Sequence, residues 1–112
     1  MIPSLARLMR LTVPTDFDIL DALADGERNN AVNLAYLLDR DRSYINTRLP
    51  VLTDYELLER VGPAPSSGLY AITEKGRVVA AHRDAYRCED VDFDALVERE
   101  LRSAAEQRIL AE

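Results

Sequence analysis

Asp54-Tyr55-Glu56-Leu57-Leu58-Glu59-Arg60-Val61 and, seven residues on, Gly68-Leu69-Tyr70-Ala71-Ile72-Thr73-Glu74-Lys75-Gly76 mark a change in the character of the chain. Apolar residues at helical spacing stop near Tyr55, and Leu57 to Val61 reads as a strand. Gly62-Pro63-Ala64-Pro65-Ser66-Ser67-Gly68 is dense in turn formers, and Leu69 to Thr73 reads as a second strand. Together they predict a hairpin with a seven-residue tip. Thr73 stands three residues before Gly76, and Val78, Val79, Ala80 and Ala81 begin another helix.

Upstream of the hairpin the period is helical. A helix is predicted from Ser43 to about Tyr55, reached from the preceding one through the short polar run Asp39-Arg40-Asp41-Arg42. The preceding helix starts at Asn30, a good N-cap residue, and carries Val32, Leu34, Ala35, Leu37 and Leu38. Two short helices so closely joined form a helix-turn-helix pattern. Before them, Thr15 or Asp16 is expected to cap a helix bearing Phe17, Ile19, Leu20 and Leu23, which ends at Asp25 and Gly26. Pro14 separates it from an amphipathic segment, Ser4 to Leu11. Downstream, the acidic link Cys88-Glu89-Asp90 leads to a last helix from Phe93 to about Leu110.

At 112 residues the chain is expected to form one domain, with little room for a catalytic domain beside it. Its apolar fraction of 47% is that of a globular protein. No apolar run reaches the roughly 20 residues a membrane span needs, and the first residues lack a signal-peptide pattern, so a cytoplasmic protein without membrane contact is expected. One cysteine and one histidine, Cys88 and His82, exclude an intrachain disulfide and leave little for a metal. No nucleophile with a paired base and no phosphate loop is present, so neither enzyme activity nor a cofactor is expected.

The charge is unusual in kind. Twenty acidic residues face 14 basic ones, for a net charge of −6, and Lys75 is the sole lysine. Arginine supplies the rest of the positive charge, and aspartate outnumbers glutamate. This composition resembles that of halophilic archaea, whose proteins work in molar salt; an arginine-favouring, GC-rich genome is the alternative. An acidic pI of 4.8 counts against nucleic-acid binding under ordinary conditions. At 1 M salt the Debye length shrinks to about 3 Å, which screens repulsion between such a surface and phosphates. Inorganic cations and anions are expected at a surface of this kind.

From Asp16 to Gly76 the chain resembles winged helix-turn-helix regulators, with Asp54 to Val61 and Gly68 to Gly76 carrying much of the likeness. Arg42-Ser43-Tyr44-Ile45-Asn46-Thr47-Arg48-Leu49 is similar to haloarchaeal members, including the phage phi-H repressor-like group. The resemblance implies a mainly α, α+β fold: a winged helix-turn-helix with a β-hairpin wing and extra N- and C-terminal helices. It divides the chain into an N-terminal amphipathic arm or helix (1–14), a DNA-binding domain (15–87) and a C-terminal dimerisation helix (88–112). It also implies a transcription regulator, repressor-like, and a role in the response to oxidative stress. One residue departs from the pattern. The family usually has glycine where this chain has Glu56, so that residue takes an awkward dihedral or the helix ends differently.

With about 100° per residue, Ile45, Leu49 and Leu52 share one stripe of the third helix and face the core. Ser43, Tyr44, Asn46 and Thr47 point outward: short hydrogen-bonding groups and one aromatic, suited to base edges in a major groove. Arg40, Arg42, Arg48, Lys75 and Arg77 are candidate phosphate contacts, the first three with pairing to Asp39 and Asp41 as the alternative. Pro50 falls inside this helix, where it removes a hydrogen bond. At the wing tip, Ser66, Ser67 and Gly68 offer hydroxyl and main-chain donors but no arginine.

The last helix carries Phe93, Leu96, Val97, Leu101, Ala104, Ala105 and Ile109 on one side. A second copy is the expected partner, giving a homodimer on a pseudo-palindromic double-stranded DNA site; packing back on its own domain, for instance with the Leu5, Leu8 and Leu11 face, is the alternative. Cys88 beside Arg87 is either a redox-sensitive thiol or an inert one. A winged-helix protein-interaction module without DNA binding is the competing function, kept in play by the acidity.

Overall fold

The computed structural model describes residues 9–25, 28–62, 68–88 and 90–111. Within them the elements are α1 (Thr15–Leu23), α2 (Ala31–Leu38), α3 (Arg42–Asp54), β1 (Leu58–Val61), β2 (Leu69–Ile72), α4 (Glu74–Ala81), α5 (Arg83–Tyr86) and α6 (Phe93–Ala111). This is the winged-helix order, mainly α with one two-stranded antiparallel hairpin, as the sequence predicts. Only the short α5 was not foreseen.

Local signals set most of the boundaries. Asn30 caps α2 by accepting from Asn33 N–H at 2.9 Å. Thr73 caps α4 through its hydroxyl, which accepts from Gly76 N–H at 3.0 Å and donates to the Glu56 carbonyl at 2.6 Å. The α1 start differs from expectation. Neither Thr15 nor Asp16 caps it; Pro14 holds that position without a side-chain bond, and both residues are buried. Asp16 has long-range partners that outcompete a capping role, described below.

α3 ends in a Schellman arrangement. Glu56 N–H bonds the Thr53 carbonyl at 2.9 Å, and Leu57 N–H bonds the Leu52 carbonyl at 2.9 Å, with Leu52 and Leu57 both buried. Glu56 occupies the left-handed position at φ 67°, so the helix ends as a glycine-capped one does, with a non-glycine residue in that place. The chain then enters β1, which pairs with β2 in the register Leu58 with Ile72 through Val61 with Leu69. Asn29 adds a third, one-residue rung: its N–H and C=O exchange bonds of 2.9 and 2.8 Å with Tyr70.

Phe17, Ile19, Leu20, Leu23, Leu34, Ile45, Leu49, Leu52, Leu57, Leu58 and Val79 are the centre of one core. α6 closes it. Phe93 and Val97 lie inside, Leu96 and Leu101 pack against it, and Phe93 meets Tyr86 edge-on at 5.1 Å between ring centroids. The first half of α6 is therefore used within its own chain. Phe93, Leu96, Val97 and Leu101 thus pack back on their own domain, the alternative to a second copy, and Phe93 covers the ring of Tyr86. Beyond Leu101 the helix leaves the core, Ala104 and Ala105 are half-buried, and Ile109 is 73% exposed.

Residues 9–12 belong to no helix or sheet, yet each N–H is held by a side chain from elsewhere. Met9 N–H donates to Asp94 (3.1 Å to Oδ2), Arg10 N–H to Tyr55 Oη (3.0 Å), Leu11 N–H to Tyr86 Oη (2.8 Å) and Thr12 N–H to Asp16 Oδ2 (2.7 Å). Met9 and Leu11 point into the core. The rest of the expected amphipathic arm, with Leu5 and Leu8, lies outside the described residues.

Candidate nucleic-acid interface

α3 presents two faces of different chemistry. Ile45, Leu49 and Leu52 are completely buried, while Ser43, Tyr44, Asn46 and Thr47 are exposed along its first half. Asp41 caps this end by accepting from Tyr44 N–H at 3.1 Å. Thr47 Oγ1 donates to the Tyr44 carbonyl at 2.6 Å. Its proton is thereby engaged, leaving a methyl group and oxygen lone pairs outward. Pro50 is accommodated within an unbroken helix of 13 residues, on its exposed side.

The five candidate cations are placed differently from one another. Arg48 Nε and Nη2 bond Asp16 Oδ1 and Oδ2 at 2.9 and 2.8 Å. The bonded Asp16 carboxylate, set against the cost of burial, raises the Arg48 pKa above its ordinary value. Arg40 Nη2 bonds Asp18 at 3.2 Å, and its Nε is buried without a partner. These partners are on α1, and differ from Asp39 and Asp41, the alternative to phosphate contact that the sequence offered. Arg40 follows the left-handed Asp39 (φ 54°) in the turn, Arg48 lies within α3, and Asp41 is engaged as the α3 cap. Arg77 donates to the Ala24 carbonyl at the end of α1. Lys75 is half-buried on α4, where its charge draws the Asp94 carboxyl pKa down against the larger upward effect of burial. Arg42 is exposed at the start of α3, beside the uncharged face.

Arg42 and Asn46 also form one wall of a groove of about 260 Å³, completed by Asn30, Ala31, Val32, Gly68 and Tyr70. It runs between α3, the start of α2 and the start of β2. Gly68, at φ 79°, lines it just before β2; Ser66 and Ser67 lie outside the described residues. Two neighbours escaped the sequence reading. Arg60 places its guanidinium 5.9 Å from the centre of the Tyr70 ring, and the two are directly paired across β1 and β2. Their alignment was available in principle from the hairpin register. Asn29, which bolts the start of α2 to β2, gave no local signal.

A three-helix core with a helix-turn-helix, a hairpin wing and a polar outward face on the second helix of that unit defines the winged-helix fold. Solved structures carry the same fold. Rv1404 from Mycobacterium tuberculosis aligns at a TM-score of 0.56 and 25% identity over 88% of this chain, which spans 60% of that protein. The zinc-responsive MarR family member ZitR of Lactococcus lactis aligns at 0.54 and 22%, covering 90% of this chain and 78% of its own. The oxidised form of MarR from E. coli aligns at 0.52 and 18%, covering 87% and 71%. No protein-family model and no curated protein matches the chain significantly. Among the described residues no acidic, histidine or cysteine cluster has the geometry of a metal site, and no helix is long and apolar enough to cross a membrane.

Proposed function

We propose that this chain is a sequence-specific, double-stranded DNA-binding transcription regulator that acts as a homodimer. The observation that carries the reading is the exposed, uncharged polar face of α3 on a winged-helix scaffold. Ser43, Tyr44, Asn46 and Thr47 read base edges in the major groove, Thr47 as acceptor and methyl contact because its proton is engaged. Arg42 provides the nearby phosphate contact, and Gly68 with the wing flanks the duplex. Arg40, Arg48 and Arg77 contribute less directly, being tied to Asp18, Asp16 and the Ala24 carbonyl.

Dimerisation falls to the distal part of α6, around Ala104 and Ile109, and presents two recognition helices to a pseudo-palindromic site. The acidic, lysine-poor surface supports a regulator of a haloarchaeal kind working in concentrated salt, with ions taken up at the interface. A repressor-type role in oxidative-stress transcription follows from the family resemblance alone.

The competing reading, a protein-interaction module, draws on one observation. Val32, Tyr36 and Leu37 of α2 are 50, 86 and 61% exposed, an apolar strip left uncovered by the described residues. Selection of genomic fragments across a salt series up to molar KCl separates the two. A regulator retains a defined set of fragments at high salt, with a shallow salt dependence. Absence of specific retention at every salt concentration rejects the DNA-binding reading in favour of the second.

A further inference from the structure

We infer that Asp16 is a positioning residue for DNA recognition: its buried carboxylate clamps Arg48 and so fixes the roll of α3 about its own axis. The inference rests on the DNA-binding reading above. Asp16 is 0% exposed and accepts three bonds, from Thr12 N–H and from Arg48 Nε and Nη2. The Arg48 side chain is 17% exposed and reaches across from α3 to α1. No other ion pair among the described residues joins α3 to another helix.

The need for such a clamp comes from the nature of the rest of the interface. Ile45, Leu49 and Leu52 hold α3 on the core by apolar contact, which is non-directional and tolerates small rotations. A fork-shaped guanidinium on a carboxylate does not, because both N–H···O lines must stay aligned. Arg48 lies one turn from Tyr44 and directly follows Thr47. A change of roll at Arg48 therefore swings Tyr44, Asn46 and Thr47 together relative to the groove. Thr12 N–H, on the third bond, holds the carboxylate itself in place.

This role and a direct phosphate contact by Arg48 predict opposite responses to Asp16→Asn. If Arg48 reached phosphate, Asp16 would compete for it, and its neutralisation would tighten binding to all DNA and steepen the salt slope. As a clamp, Asp16→Asn loses charge and fork while keeping an acceptor for Thr12 N–H. Binding to a duplex enriched by the wild-type protein from a random pool should weaken about tenfold, with binding to the unselected pool and the salt slope unchanged. Arg48→Lys, which keeps the charge and loses the fork, should do the same, and the double variant should be no worse than either single one. Measurements are made well below each variant's melting temperature, where a purely stabilising role changes neither affinity. Tighter general binding by Asp16→Asn, or full operator affinity in Arg48→Lys, overturns the proposal. Should Asp16→Asn fail to fold, the Arg48→Lys result decides alone. A wild-type protein that enriches no duplex rejects the DNA-binding reading itself, and this inference with it.

Discussion

Glu56→Gly should make the protein more stable, although it deletes a side chain and adds backbone freedom. Glu56 sits at φ 67° in the left-handed position that ends α3. An L-residue there costs roughly 1–2 kcal/mol relative to a right-handed conformation. Glycine removes that cost but has about 0.5–1 kcal/mol more unfolded-state entropy to lose. The Glu56 side chain is exposed, so its removal sacrifices no buried contact. The balance is a gain of about 0.5–1 kcal/mol. An unfolding entropy of about 2.1 cal/mol/K per residue, over 112 residues, makes this a rise of about 2–4 °C in Tm. Scanning calorimetry at fixed protein concentration, with Glu56→Ala as control, provides the assay. Alanine shortens the side chain without relieving the dihedral and should leave Tm nearly unchanged. Asp39, left-handed at φ 54°, should gain less on change to glycine, because aspartate tolerates that region better. Equal shifts for Glu56→Gly and Glu56→Ala would refute the assignment of strain to the backbone.

Gly76→Ala should have the opposite sign and greater size. A Cβ there overlaps the Leu57 carbonyl oxygen, held by its bond from Thr73 N–H, and lies 2.7 Å from Ile72 Cγ1, so a loss of about 3 kcal/mol or more is expected in urea unfolding; a loss below about 1 kcal/mol contradicts the packing described. Arg42→Gln should lower the slope of log K against log salt by about 0.9, the share of one phosphate, with little change in sequence preference; an unchanged slope removes Arg42 from the backbone contacts. Burial raises the Asp94 carboxyl above the 3.8 of a free aspartate, despite the opposing bond from Met9 N–H. The folded state then binds this proton more tightly than the unfolded one, so ionisation of Asp94 lowers stability as pH rises above 3.8. Asp94→Asn keeps an acceptor for Met9 N–H, and its stability relative to wild type should climb through that window; a pH-independent difference contradicts the assignment.

What the sequence revealed was mostly short-range. The Asn30 and Thr73 caps each act on an N–H three residues away, and the Ile45, Leu49, Leu52 stripe is a helical period. The missing glycine at Glu56 was visible as a departure, and its left-handed dihedral follows from the same backbone bonds that glycine would make. The failures were of range. Arg40 and Arg48 find aspartates 22 and 32 residues upstream, whereas nearer Asp41 is engaged as the α3 cap. An apolar stripe on α6 looked like a dimer face because nothing local says that Phe93 and Val97 close the chain's own core. The bridge from Asn29 to Tyr70 has no sequence signature at all.

The segment from Met9 to Thr12 has a further consequence. Its four peptide N–H groups are received by Asp94, Tyr55, Tyr86 and Asp16, which come from α6, the end of α3, α5 and α1. Because the anchoring groups on the segment are main-chain atoms, exposed Arg10 is open to substitution there without loss of attachment. The receiving side chains are not. Four consecutive amides thus exchange with solvent at rates set by four different parts of the molecule. Read in sequence by hydrogen exchange, this sheetless stretch acts as a built-in gauge of which helix leaves the assembly first.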